Sequence, residues 1–464
     1  LIFEIFCYIY RRKMNRQQAF ILILLFVLSA LKGISQVSFD LIISNYNDTS
    51  VLLASYYGEK NKLIDTAYII NGKFIFSNKE YPEGVYILAS QDKNKLFEFI
   101  INNETGFSFY TDARMSYDVE VRGSEENRVF YEHQRFRNQA YREIRQLTDT
   151  AFGANAHALD SIKESLIQEE RSLIKTYPDL FIARLIKAQQ DVVIPDSLSL
   201  DSMKSYLYTK EHYWDNLNLS DARFIRTPVL EKKLNFYFDN IIFLHPDSVI
   251  KAIDTVISYA RPDEEAVSYL LWYFISKYQN PKYMGFDKVF VHLVDNYFLS
   301  EDILNTTSSI TEKLKERSEK IKPLLIGKTA PNLNLIDTGN RFRSFREIRA
   351  DYTLLLFWDY NCHVCENTIE QLKNVLDTTS CNIKVYAICV NNDLEQWKKT
   401  IAAENLGWLH VNGTISTTED FHDLYDINGT PRVFLLGSEK KIIAKNFKVA
   451  QLIAIIENQN KISK

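Results

Sequence analysis

Cysteine is scarce in this sequence: five occur in 464 residues, and four of them lie beyond residue 360. A disulfide-stapled scaffold spreads its cysteines along the chain, so that architecture is excluded and the thiols point to one domain. An excess of one charge is missing as well. Lysine plus arginine number 55 against 59 aspartate plus glutamate, a formal net charge of −4, which gives no basis for binding nucleic acid, DNA or RNA, or an anionic membrane surface. Nor does any apolar run reach the roughly 20 residues of a comfortable membrane-spanning helix. The stretch from Ala19 to Leu31 is almost wholly apolar but holds only thirteen residues. No cysteine follows it closely, which argues against a lipoprotein cut. What is present is ordinary: 46% hydrophobic and 25% charged residues describe a folded protein with room for roughly two to four domains.

The start of the chain bears on its compartment. Met14 and Arg16, the apolar stretch, and then Gly33-Ile34-Ser35-Gln36 supply the basic, hydrophobic and small-residue regions of a secretory signal peptide. Residues 1–36 are expected to be that signal peptide region, with Met14 its true start; an uncleaved anchor is the competing reading. An exported chain places its thiols in an oxidising space.

Residues 37–124 read as an all-β, sandwich-like domain. Val51-Leu52-Leu53, Thr66 to Ile70, Lys73 to Phe76, Val85 to Ala89, Leu96 to Ile101 and Gly106 to Tyr110 are short β-rich runs separated by turn residues. Asn71-Gly72 between two of them signals a type I′ hairpin, whose two central residues need positive φ. Nothing in this stretch gathers His, Asp, Ser or Cys for chemistry. From about residue 125 the period changes to that of a helix, and residues 125–322 read as a central all-α domain. Leu159, Ile162, Leu166, Leu173 and Ile174 share one helical face. The aromatic residues here, among them Tyr206, Trp214, Phe236, Phe238, Trp272, Phe274, Tyr297 and Phe298, are expected to be core, a partner groove being the alternative. The histidines His133, His157, His212, His245 and His292 have no ligand spacing. The charged segment Thr311 to Lys322 reads as a solvated helix or linker, and Pro323 marks a boundary.

Residues 323–464 carry the chemistry. The apolar run Leu354 to Trp358 reads as a buried strand, Asp359 to Asn361 as a turn, and Cys362-His363-Val364-Cys365 opens a helix with Ile369, Leu372 and Val375 on one face. A helix N-terminus presents free N–H groups and a partial positive charge, which favour thiolate over thiol at Cys362. Cys365, one turn on, can close a disulfide with it. A Cys-x-x-Cys pair is also half of many zinc sites, but no second such pair follows, so no metal and no cofactor is expected. Cys389 falls in an apolar strand and reads as a buried structural thiol, while Cys381 precedes that strand in a loop. Strands and helices continue to the C-terminus in the order βαβ then ββα, with Gly429-Thr430-Pro431 before an apolar strand.

Phe-Trp-x-x-x-Cys-x-x-Cys with a later Gly-Thr-Pro resembles the thioredoxin superfamily. The opening Gly327-Lys328-Thr329-Ala330-Pro331 and the extra strand and helix between Cys365 and Pro431 resemble the exported TlpA/ResA-like thiol–disulfide oxidoreductases. The likeness covers residues 325–464. Upstream, Asp65-Thr66-Ala67 and Arg122-Gly123-Ser124 resemble the N-terminal β-domain of such proteins. His212 to Arg226 resembles a helical domain of unknown function that precedes their thioredoxin unit. The resemblance implies a C-terminal α/β thioredoxin fold and a redox-active Cys362–Cys365 disulfide. It implies a cis Thr430-Pro431 peptide facing the cysteines and binding substrate, with Trp358, His363 and Pro431 supporting the site. It further implies disulfide-containing protein substrates, a membrane electron donor of the thiol-reducing type, and the periplasm or cell envelope of a Gram-negative bacterium.

His363 has two readings, an imidazolium that stabilises the Cys362 thiolate or a solvent-facing spacer. The sequence departs from the family at three places. Leu356 stands where thioredoxins often bury an Asp, Thr368 stands where some relatives carry Glu, and the dipeptide between the cysteines is His-Val. Asp359, Glu366 and Glu370 are candidate proton acceptors. The expectation is a three-part extracytoplasmic oxidoreductase acting as a reductant. Its rival is an envelope adaptor whose helical domain captures a partner and whose thioredoxin unit is mainly structural.

Overall fold

The computed structural model describes residues 37–115, 118–149, 156–300, 303, 304 and 306–462. The expected signal peptide lies outside the described residues. The described residues divide into two compact units, those of 37–200, 211–217 and 223–234 in one, and those of 201–210, 218–222 and 235–462 in the other.

Eight strands come first: β1 Val37–Ser44, β2 Ser50–Tyr57, β3 Lys60–Ile70, β4 Lys73–Lys79, β5 Gly84–Ala89, β6 Lys95–Ile101, β7 Gly106–Asp112 and β8 Glu120–Arg122. They join in the order β6-β5-β2-β3-β4-β1-β7-β8. β3 links the two halves, since residues 60–68 pair with β2 while Ile69 and Ile70 pair with β4. Alternate side chains of each half point inward and meet. Phe39 of β1 lies 5.2 Å, ring centre to ring centre, from Phe99 of β6, and Phe97 lies 5.5 Å from Phe109 of β7. The all-β, sandwich-like expectation holds. Asn71 and Gly72 sit at φ +50° and +78°, as a type I′ turn requires. The strand expected at Thr66–Ile70 is the end of a longer one, whose polar start at Lys60-Asn61-Lys62 carries no apolar alternation.

The central region is all-α, as expected. Its helices are α1 Glu125–Asp149, α2 Ala156–Thr176, α3 Phe181–Gln189, α4 Asp196–Ser199 and α5 Ser202–His212. Then follow α6 Pro228–Phe236, α7 Pro246–Ala260, α8 Glu264–Tyr278, α9 Asp287–Leu293 and α10 Ser308–Ile321. Most of its aromatic residues are core: Trp214, Phe238, Phe274, Tyr297 and Phe298 are buried, and the Phe238 and Phe274 rings meet edge to face at 4.9 Å. Phe236 and Tyr206 are exposed, and Trp272 is half-buried. The charged stretch Thr311 to Lys322 is helical but more than a solvated linker. Arg317 pairs with Asp426, Lys320 lies 2.7 Å from Asp423, and Ser318 and Ile321 are buried. The acids come from about a hundred residues further along the chain, so no local pattern announces them.

The last segment runs β9 Asn334–Asp337, β10 Phe342–Ser344, β11 Tyr352–Trp358, α11 His363–Thr378, β12 Ile383–Cys389 and α12 Leu394–Ala403. It closes with β13 Leu409–Ser416, α13 Phe421–Tyr425, β14 Arg432–Leu436, β15 Ile442–Lys445 and α14 Leu452–Ile462. The sheet order is β10-β9-β13-β12-β11-β14-β15. β11, β12 and β13 are parallel, and β14 runs antiparallel beside β11. Every residue of β11 is buried, as a central strand covered on both faces demands. Leu354, Leu356 and Trp358 pack on one face with Cys365, Ile369 and Leu372 of α11, while Leu355 and Phe357 pack on the other with Phe421 and Tyr425. This is the expected α/β thioredoxin fold.

Candidate active site

The site sits where β11 ends and α11 begins. Asp359 Oδ1 accepts from the Asn361 N–H at 2.8 Å, and the Cys362 N–H donates to the Asp359 carbonyl at 3.1 Å. This tight turn delivers Cys362 to the N-cap of α11, with φ −102° and ψ 107°. Its Sγ accepts from the Cys365 N–H at 3.3 Å, so the sulfur does what a serine or aspartate oxygen does at other helix starts. Across from it, Thr430-Pro431 is cis, and the Thr430 carbonyl lies 3.7 Å from Cys362 Sγ, close enough for the thiol to donate to it.

The two thiols are free, and their surroundings differ. Cys362 is partly exposed, whereas Cys365 is 1% exposed. Burial pushes the Cys362 pKa up, but hydrogen bonds from the Cys365 thiol and N–H, the Thr430 side chain and the Val364 N–H outweigh it and bring the value below that of an ordinary thiol. The partial positive charge of the helix start acts in the same direction. Burial raises the Cys365 pKa, and its hydrogen bond with Cys362 raises it further. One sulfur is therefore ready to ionise and the other is held as a thiol.

The flanking residues fall into two groups. Trp358 is 1% exposed at the end of β11, opposite Cys389 of β12 in the strand register. Cys389 is a buried thiol, as expected, and burial pushes its pKa up to about 12. Cys381 is half-buried in the connection before β12. His363 points away from the sulfurs: its side chain is 87% exposed and its Nδ1 is 3.1 Å from Glu366 Oε2. Of the three candidate acids, Glu366 faces His363 and Glu370 is exposed. Asp359 is the one tied to the buried thiol, through its backbone N–H. Thr368 is occupied within the helix, its hydroxyl donating to the Val364 carbonyl at 2.9 Å. Among the described residues no group of His, Cys, Asp or Glu is placed to hold a metal ion.

One neighbour escaped the sequence reading. His410 of β13 is 4% exposed, and its ring lies 6.1 Å from Trp358, edge to face, and 6.0 Å from Trp408, stacked. It pairs in register with Ala387, which in turn pairs with Leu356, so it shares the sheet face that carries Cys365. Neither ring nitrogen has a hydrogen-bond partner. Burial pushes its pKa down to about 4, opposed in part by the nearby Leu406 backbone. The signal available in the sequence was alternation along β13, which puts residues 408 and 410 on one face.

Residues 350–442 match a family model described as thioredoxin-like. Residues 37–130 and 158–322 match two models, each described as a domain of unknown function. No curated protein matches the chain. Among solved structures, the chain is similar to a domain of a possible thiol-disulfide isomerase from Cytophaga hutchinsonii, with 34% identity over 30% of this chain and 95% of that one and a TM-score of 0.28. It is also similar to a thioredoxin-like protein from Bacteroides caccae, with 21% identity over 57% of this chain and 97% of that one and a TM-score of 0.46. A thiol-disulfide oxidoreductase from Bacteroides fragilis shares 24% identity over 28% of this chain and 99% of that one, with a TM-score of 0.26. Residues 350–442 of the chain therefore form a thioredoxin-like domain.

Proposed function

We propose that the chain reduces disulfides of proteins or peptides outside the cytoplasm through Cys362 and Cys365. The observation that carries this reading is the asymmetry of the pair, an accessible sulfur of lowered pKa at a helix N-cap beside Thr430-Pro431 and a buried sulfur of raised pKa one turn on. Cys362 attacks one sulfur of the substrate disulfide as thiolate; that bond breaks, a mixed disulfide forms, and the departing substrate thiolate takes a proton. Cys365 then loses its proton and attacks the Cys362 sulfur, which releases the second substrate thiol and leaves the Cys362–Cys365 disulfide. The substrate gains two electrons and the dithiol loses two. A thiol-reducing donor at the membrane restores the dithiol. The outward turn of His363 supports the reductant role, because an imidazolium held against the sulfur would stabilise the thiolate and favour an oxidant.

Export is inferred from residues 1–36 and the dithiol chemistry. No helix among the described residues is long and apolar enough to cross a membrane. The test is the reduction potential of the pair in dithiothreitol or glutathione buffers, read by mass after alkylation. A value of about −250 mV or lower is expected of a thioredoxin-type reductant; one near about −120 mV makes the chain an oxidant. A pair that never forms a disulfide ends the redox reading altogether.

A further inference from the structure

Asp426, Asn428 and Arg432, which flank Thr430 and Pro431 in sequence, line one wall of a groove of about 430 Å³. Facing them in the same compact unit is the turn at residues 279–287, between α8 and α9. The ionic groups lining this groove do not balance. Asp426 is paired with Arg317, and Asp287 with Lys445. Two further cations, Arg432 at the start of β14 and Lys282 in the turn, form no ion pair among the described residues; the Lys282 ammonium lies 5.4 Å from the Tyr283 ring centre. A surplus of two positive charges in a cleft raises the local concentration of anionic groups, here on a chain whose net charge is −4.

We propose that this groove holds the polypeptide flanking the substrate's disulfide and that it selects acidic segments. Carboxylates of the substrate pair with Arg432 and Lys282. This rests on the oxidoreductase reading above and adds a class of substrate to it. The reach is short. Cys362 Sγ is 3.7 Å from the Thr430 carbonyl, and Asn428 and Arg432, two residues to either side of Thr430, both line the groove. Two residues of extended chain span about 7 Å, so a substrate held at Thr430 meets the groove within a few residues of its reacting cysteine.

The test uses two cyclic peptides, each closed by one disulfide. They are identical except that the residues flanking one cysteine are Glu and Asp in the first and Gln and Asn in the second. The full chain, reduced with dithiothreitol and freed of it, is mixed with each peptide under single-turnover conditions. The acidic peptide is expected to be reduced about tenfold faster at low ionic strength, with the advantage shrinking as salt is added. Arg432→Glu and, separately, Lys282→Glu are expected to abolish or invert that ratio. Each variant is scored by the ratio between two peptides, so a loss of folded protein cancels. Equal rates in the unsubstituted chain, or a ratio unaltered in both variants, overturn the acidic groove and leave the oxidoreductase reading standing. Reduction of neither peptide overturns both.

Discussion

At the scale of single residues, the site works through unequal environments for equal groups. Cys362 and Cys365 are chemically identical, yet their surroundings move their pKa values in opposite directions. The pH dependence of alkylation should therefore show one reactive thiol with a midpoint below the ordinary value of about 8.5. Cys365→Ala should shift that midpoint upward, because it removes a hydrogen bond that favours the thiolate. A wild-type midpoint at or above the ordinary value would contradict the asymmetry. A Cys365→Ser chain should accumulate mixed disulfides through Cys362, which non-reducing gels with extracted envelope proteins would reveal.

His410 gives a second prediction, and here the sign must be followed. Its value falls from 6.5 to about 4 on folding because burial disfavours the charged ring. The unfolded chain thus takes up the proton first as pH drops below about 6.5, and the folded state loses stability until about pH 4. The full effect is on the order of 3 kcal/mol. His410→Leu should flatten the decline in urea midpoint between those pH values; an equal decline in both proteins would sink the assignment. The cysteines were legible in the sequence because spacing alone defines their chemistry. His410 was not, because its importance comes from two neighbouring strands that bring Ala387 and Leu356 beside it.

At the scale of elements, local signals were read well wherever they were local. The Asn71-Gly72 turn, the buried strand β11 and the helix that begins at the cysteines all follow from patterns within a few residues. Helix α3 shows what such patterns omit. Its N-cap, Leu180, offers no side-chain acceptor. Glu126 of α1 supplies one from 55 residues away, accepting from the Phe181 N–H at 2.9 Å and the Ile182 N–H at 2.6 Å, while Asn102 donates to it at 2.7 Å. Glu126 is 1% exposed, so its removal leaves buried donors without partners. Glu126→Ala should cost about 2–3 kcal/mol in denaturant unfolding. Glu126→Gln keeps one acceptor oxygen and should cost less. An alanine variant as stable as the parent would show that water satisfies those N–H groups instead. In the redox domain, Leu372→Ala should cost about 2–5 kcal/mol, since a fully buried leucine that fastens α11 to β11 leaves a cavity when truncated.

At the scale of the whole molecule, the helical segment from residue 235 onward and the thioredoxin-like segment form one compact unit. The charged groups that join them lie far apart in sequence, which is why Thr311 to Lys322 read only as a solvated helix or linker. The most buried of these links is Lys445 at the end of β15, which pairs with Asp287 of α9 and donates to the Leu324 carbonyl at 2.6 Å. A buried pair of this kind adds little over an apolar pair of the same volume, but breaking one half leaves the other charge buried and uncompensated. Asp287→Ala should therefore destabilise this unit by about 3–5 kcal/mol. Lys445→Met on that background should recover much of the loss, because it removes the stranded ammonium. Four of the five tryptophans, Trp272, Trp358, Trp397 and Trp408, lie in this unit, so tryptophan fluorescence during urea unfolding reports mainly on it, and Asp287→Ala should lower the midpoint of that signal. A double variant no more stable than Asp287→Ala alone would mean that Asp287 acts through packing rather than charge. If instead the pair behaves as described, the helices before residue 323 are part of the folding unit of the redox domain, and the excised segment 325–464 should unfold at lower denaturant than the same residues in the full chain.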